Sequence, residues 1–329
     1  SLPPAIDVHQ HVVPPYYARW LAAQRWHLPV PEWTADRALA EMDSQEIETA
    51  LLSVTTPGLY LAADADARHL ARQVNEFAAE QAGRYPGRFG FFATLTLPDT
   101  DGAIAEAAYA LDELNADGVI LLANAGGRYL GDPLFHPLYA ELDRRGAVVF
   151  LHPTYPAALG PAAATGQPRS DVDLLAETTR SAVDLISSGV LPRYGRMRVL
   201  LAHAGGYLPY MSHRIALMCS PDGSYPAGLD LLRQFYFDVA LSSSAVTLAA
   251  LLAFARPGHV LFGTDWPYAP PAVLDHFRTE LSRYPFASGQ REAVLHTAAE
   301  ALFPRLRRRY QAKVVSRPTA WPVRADSMA

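Results

Sequence analysis

His9-Gln10-His11 is the pattern in this chain that most directly suggests chemistry. It closes an apolar run, Ala5–His9, that reads as a strand. Side chains alternate faces along a strand, so the two imidazoles point the same way. A lone H-x-H is weak evidence, because two rim histidines held by hydrogen bonds would look identical. Three more titratable residues fall in equivalent places. His152 ends the run Ala147–His152, and His203 ends Arg198–His203. Asp265 follows His259–Gly263 in Phe262-Gly263-Thr264-Asp265-Trp266. Imidazole nitrogens with a carboxylate suit a divalent metal. Zinc is the first choice, with Zn–N distances near about 2.0–2.1 Å, and manganese or iron also fit.

The elements that must position these groups follow a repeating pattern. Eight strands are expected: Ala5–His9, Thr49–Val54, Phe89–Leu95, Gly118–Leu122, Ala147–His152, Arg198–His203, Phe235–Val239 and His259–Gly263. Val119-Ile120-Leu121-Leu122 and Val148-Val149-Phe150-Leu151 are continuous apolar runs, as in strands covered on both faces. Helical spacing follows, in Leu70, Val74, Phe77 and Ala78 and again in Ile104, Ala107, Ala108 and Leu111. Asp101 and Asp171 are expected helix N-caps. Strand–helix alternation repeated eight times specifies an α/β fold, a (β/α)8 TIM-like barrel with a small insertion after the first strand. No Gly-rich phosphate loop follows that strand, which removes the commonest open-sheet alternative. Residues 12–34, rich in Pro, Tyr and Trp, and 153–170, rich in Pro, Gly and Ala, fall at the rim where barrel active sites are built. The expected organisation is one domain over 1–312 and a C-terminal tail over 313–329.

Composition narrows the partners. The 329 residues carry a formal charge of −5 and no basic stripe, which argues against nucleic acid. No apolar run is long enough to span a bilayer. The single cysteine, Cys219, cannot form a disulfide within the chain, and with no signal-peptide pattern at Ser1–Pro4 the expected location is cytoplasmic. Cys219 is expected to be packed. His27, His69, His136, His213, His259 and His276 are expected at the surface or on helices. Asp7 is expected to sit deeper in the barrel or behind the site, and Arg305 with Arg307–Arg309 to form a solvated helix end.

The motifs His9-Gln10-His11, Leu151-His152-Pro153, Ala202-His203-Ala204-Gly205-Gly206 with Leu208-Pro209, and Gly263-Thr264-Asp265 resemble the amidohydrolase-2 branch of the amidohydrolase superfamily. That branch includes the aminocarboxymuconate semialdehyde and salicylate-type decarboxylases. Pro31-Glu32-Trp33-Thr34, Leu52–Gly58 and Tyr129–Pro133 look like local signatures of the 6-methylsalicylate decarboxylases within it. The resemblance implies that His9, His11, His152 and Asp265 bind metal, and that His203 acts as acid or base beside them. It also implies that Arg214 reaches the substrate of a neighbouring subunit in a homodimer. A second, carboxylate-binding arginine upstream of Trp33 has no counterpart here, Pro29 standing nearest, which favours a monocarboxylate. Binuclear members carry a bridging lysine on strand 4. The only lysine of this chain is Lys313, so one metal per chain is expected.

The activity implied is non-oxidative decarboxylation of an ortho-hydroxy aromatic acid of the 6-methylsalicylate type, a carbon–carbon lyase reaction releasing CO₂. Asp265 is then the first choice of proton donor, with His203 tuning it. Trp33, Tyr60, Phe91 and Trp266 are candidate walls for the ring, although ordinary packing would explain each as well. The same metal could instead activate water against a lactone or amide, with His203 as base. A non-catalytic binding protein is a third reading, which the complete ligand set argues against.

Overall fold

The computed structural model describes residues 4–24, 26, 28–156 and 171–306. His27, most of the 153–170 segment, Arg307–Arg309, Lys313 and the 313–329 tail lie outside the described residues.

All eight expected strands form: β1 Ala5–His11, β2 Ile47–Ser53, β3 Phe89–Thr94, β4 Gly118–Leu122, β5 Val148–His152, β6 Arg198–Leu201, β7 Tyr236–Asp238 and β8 Val260–Leu261. They make one parallel sheet in sequence order. The sheet closes on itself, because the Val8 N–H donates to the Phe262 carbonyl at 3.0 Å and Gln10 bridges Trp266. Helices fill the intervals, including Asp64–Arg84 and Thr100–Asp112, where helical spacing predicts them. This is the (β/α)8 barrel. A two-stranded hairpin, Asn124–Ala125 with Arg128–Tyr129, follows β4.

Two of the expected caps differ. Asp99, not Asp101, caps Thr100–Asp112, its side chain accepting from the Gly102 N–H. The helix Asp173–Ser187 has Val172, not Asp171, at its N-cap and no side-chain cap. Arg305 is also not simply solvated, since its guanidinium donates to the carbonyls of Ala116 and Leu111.

The core has two layers. Outward-facing strand residues such as Leu52, Phe89, Phe91 and Val149 pack under the helices. Ile6, Val8, Leu51, Phe92, Ile120, Phe150 and Leu200 fill the barrel interior, and Phe303 and Leu302 plug its floor. Phe92 touches both Phe150 and Phe303, with centroids 5.0 and 5.7 Å away. The interior is thus solid below the level of Phe150, and a site can form only above it.

Candidate metal centre

The aim of the first two histidines depends on an irregularity in β1. Between Asp7 and Gln10 the strand advances three residues while β2 advances only two, from Ala50 to Leu52. Such a bulge switches the facing parity of the residues beyond it. Below it Ile6 and Val8 face the interior; above it His9 and His11 do. The His9 ring sits edge-on over Phe150, at 5.0 Å. On its other side His9 lies close to Gly263, where a Cβ would come within 2.8 Å of the His9 Cβ.

Each of three imidazoles is oriented through Nδ1. His9 Nδ1–H donates to Asp238 Oδ2 at 2.8 Å. His11 Nδ1 faces the Ser53 carbonyl at 3.1 Å and its hydroxyl at 3.0 Å. His152 Nδ1 lies 2.8 Å from the Pro153 carbonyl and 3.2 Å from Thr55 Oγ1. In the neutral ring these bonds select the tautomer that keeps the Nε2 lone pair for a metal. His203 differs. Its Nε2 lies 3.1 Å from Asp265 Oδ2, while its buried Nδ1 has no partner among the described residues.

Asp265 joins the groups. Its Oδ1 lies 2.9 Å from His11 Nε2 and 3.3 Å from His9 Nε2, and its Oδ2 serves His203. The backbone holds it in a left-handed conformation, φ 67°, as it does His203 at φ 51° and Ala204 at φ 56°. Non-glycine residues adopt such angles at a cost of about 1–3 kcal/mol, and they concentrate at functional sites. Here Asp7 helps to hold the turn. Its carboxylate accepts from the N–H of Thr264 and of His9 and from the Thr264 hydroxyl. The Asp265 N–H donates to the His9 carbonyl at 2.7 Å.

The charge balance suits a cation. Burial pushes His11 below the ordinary histidine range, and burial plus the neighbouring imidazoles hold His152 well below it. Both are therefore neutral, as metal ligands must be. Burial opposes the ionised form of Asp265, but His9, His11 and His203 outweigh it and keep the carboxyl well below its usual range. Burial likewise opposes a charged His9, yet Asp238 and Asp265 raise its pKa to about 10. Without a metal, His9 must supply the positive charge that two buried carboxylates require; a divalent ion would take over that role. Ligand atoms of His9, His152, His203 and Asp265 all lie within 4.8 Å of one another. His11 Nε2, 3.1 Å from His9 Nε2, borders the same point.

Residues 6–305 match the amidohydrolase family described as Amidohydro_2. The chain belongs to the amidohydrolase family. It is 42% identical over 325 residues to a 6-methylsalicylic acid decarboxylase of Aspergillus aculeatus, covering 92% of this chain and 97% of that one. A 2,6-dihydroxybenzoate decarboxylase from Rhizobium superposes with a TM-score of 0.76 at 26% identity, covering 91% of this chain and 98% of that one. A dihydroxybenzoic acid decarboxylase from Polaromonas, solved with bound manganese, shares the fold with a TM-score of 0.76 at 23% identity over 92% and 97% of the two chains.

Within this amidohydrolase barrel the structure brings together His9, His11, His152, His203 and Asp265. The expected ring walls scatter. Phe91 points into the layer under the helices, since Phe92 and Thr94 take the inward positions of β3. Trp33 packs in the same outer layer, against Phe77 and Phe89. Trp266 is buried in that layer too, and its main chain bridges to β1. Tyr60 lines a cavity over the ends of β3 and β4. Arg214 is exposed on the helix Leu208–Cys219. Sequence reasoning missed Asp238, although an acid at the end of an apolar strand was the available signal. It also missed Tyr268, whose ring lies 5.4 Å from that of His11.

Proposed function

We propose that this chain is a metal-dependent, non-oxidative decarboxylase of an ortho-hydroxy aromatic acid of the 6-methylsalicylate type. The observation that carries the reading is the Asp265 carboxylate, shared between the His9–His11 pair and His203 at the mouth of the barrel. The Aspergillus aculeatus decarboxylase, 42% identical over nearly the whole chain, supports the same chemistry.

His9, His11, His152 and Asp265 would hold one divalent ion. Zinc is our first choice on donor chemistry; manganese, bound in a relative of the same fold, suits the donors too. When bound, the ion supplies a Lewis acid that fixes and polarises the substrate oxygens. The chain's own residues handle the proton. His203 Nε2 and Asp265 Oδ2 hold one between them, and deliver it to the ring carbon bearing the carboxylate. Cleavage of the C–C bond then restores aromaticity and releases CO₂. Burial of His9, His11 and His152 limits water on the ligand side of this exchange. No observation favours the lactone or amide hydrolase instead.

A homodimer is part of the proposal. Six exposed large apolar residues, Tyr210, Met211, Leu217, Met218, Tyr225 and Val246, gather on three neighbouring helices around Arg214. Tyr210 and Val246 edge a hollow of about 280 Å³ that reaches His203. A second copy covering this face would carry Arg214 toward the partner's mouth, where its planar fork could grip a carboxylate. The domain of 1–312 and a cytoplasmic location, suggested by the lone cysteine, complete the reading. No helix among the described residues is long and apolar enough to cross a membrane. The deciding experiment is product identification from ortho-hydroxy aromatic acids given to the metal-loaded protein. Release of CO₂ supports the reading, and its absence from every such acid overturns it.

A further inference from the structure

A second cavity, of about 40 Å³, lies over the ends of β3 and β4 and is lined by Val54, Tyr60, Thr94, Ile120, Leu122 and Ala125 among others. It abuts the metal centre through two of its walls. Leu122 pairs with His152 across β4 and β5, and the next residue, Ala123, donates its N–H to the His152 carbonyl at 2.9 Å. Val54 stands between Ser53, which holds His11, and Thr55, which holds His152. The turn at Gly58 closes the outer side, so near that a Cβ there would lie 2.9 Å from a Leu122 methyl.

Size decides what can enter. A cavity that takes benzene measures about 150 Å³, whereas roughly 10–15 Å³ of space for its centre admits one water. At about 40 Å³ this space is too small for the ring but large enough for one or two heavy atoms attached to it. Chemistry narrows the choice further. Asn124, at the rim, spends its amide elsewhere: Nδ2 donates to the Tyr155 carbonyl and Glu177, and Oδ1 accepts from the Gly127 N–H. The Thr94 hydroxyl is buried without a partner among the described residues. Only Thr94, Tyr60 and Asn124 bring polar side-chain atoms to the lining, and Val54, Leu59, Leu95, Ile120, Leu121 and Leu122 make its walls mainly apolar. The cavity therefore gains most from a small apolar group.

We infer that this cavity is the specificity pocket for a methyl-sized alkyl substituent on the ring, with Leu122 and Ala125 setting its size. The inference rests on the proposed function, since it presumes a ring held at the histidine cluster. Burying one methyl group changes affinity about four-fold. The test measures kcat/KM for 2-hydroxy-6-methylbenzoate and for 2-hydroxybenzoate in the metal-loaded wild type, in Leu122→Phe and in Ala125→Leu. Both variants fill the cavity, and two are used in case one fails to fold. The ratio of methylated to unmethylated acid should fall about four-fold or more in a folded variant. An unchanged ratio in a folded variant overturns the pocket assignment while leaving decarboxylation standing. If the wild type turns over neither these nor any other ortho-hydroxy aromatic acid, the functional reading fails, and calorimetry with 3-methylphenol and phenol judges the pocket separately. Tighter binding of 3-methylphenol by about four-fold, lost in Ala125→Leu, supports it. Equal affinities overturn it.

Discussion

His9 and Asp238 are 229 residues apart in sequence, yet Nδ1 of the one lies 2.8 Å from Oδ2 of the other, with both side chains fully buried. The second oxygen of Asp238 accepts the backbone N–H of His203 at 3.1 Å and that of Ala240 at 2.9 Å. One carboxylate thus orients a proposed ligand and fixes the turn that carries the proposed proton-transfer histidine.

Asp238→Asn should therefore weaken metal binding by about 10–100-fold, the usual effect of losing such a partner. Its amide oxygen can replace only one of the two carboxylate oxygens, so an NH₂ donor must face either the His9 Nδ1–H or the N–H pair of His203 and Ala240. Competition with a metal-binding dye reads this directly, and unchanged affinity would assign Asp238 to packing alone.

His203 and His152 should separate in their effects. His203→Ala is expected to lose turnover by about 10²-fold or more while keeping most of its metal. His152→Ala should lose both. Metal content and rate on the same preparations test this; a metal-free His203 variant beside a loaded His152 variant would reverse the roles.

Arg214 is exposed, and its proposed role is in trans. Arg214→Ala should raise KM or abolish turnover with the fold intact. Mixing it with inactive His152→Ala protomers should restore some activity, because one hybrid site is then whole. No rescue, in a preparation shown to exchange subunits, would return Arg214 to a structural role.

The metal-free protein should be most stable near pH 6.5–7. His11 and His152 have folded pKa values below the ordinary 6.5, so acidification below 6.5 lets the unfolded chain take protons that the folded one refuses, and stability falls. His9 behaves oppositely. Its pKa of about 10 makes its contribution complete below 6.5 and progressively lost as the pH rises toward 10. Denaturant midpoints at pH 5, 7 and 9 should be highest at pH 7; a midpoint that rises steadily across this range would contradict the charge balance described.

The barrel and the five converging residues were legible because each is a polar group placed just beyond an apolar run, a pattern that survives without knowing which strands touch. Asp238 carries the same local signal; what is not legible is its partner, because only barrel closure brings it to His9 Nδ1. Three of the expected ring walls, Phe91, Trp33 and Trp266, lie in the outer layer for a related reason. Phe91 and Phe92 are adjacent aromatics, and nothing local says which faces the interior; the structure gives that position to Phe92. The bulge in β1 was likewise invisible, although the shared direction of His9 and His11 needed only their spacing. Trp33 and Trp266 looked available for a ring, but the helical layer consumes both.

The most direct test of the central claim is a carbon balance on the metal-loaded protein given 2-hydroxy-6-methylbenzoate. Decarboxylation at this site predicts one CO₂ and one 3-methylphenol for each acid consumed, without an added oxidant, and loss of both products on chelation of the metal. Failure to release CO₂ from this acid or any other ortho-hydroxy aromatic acid, with hydrolysis of a lactone or amide by the same preparation, would contradict it.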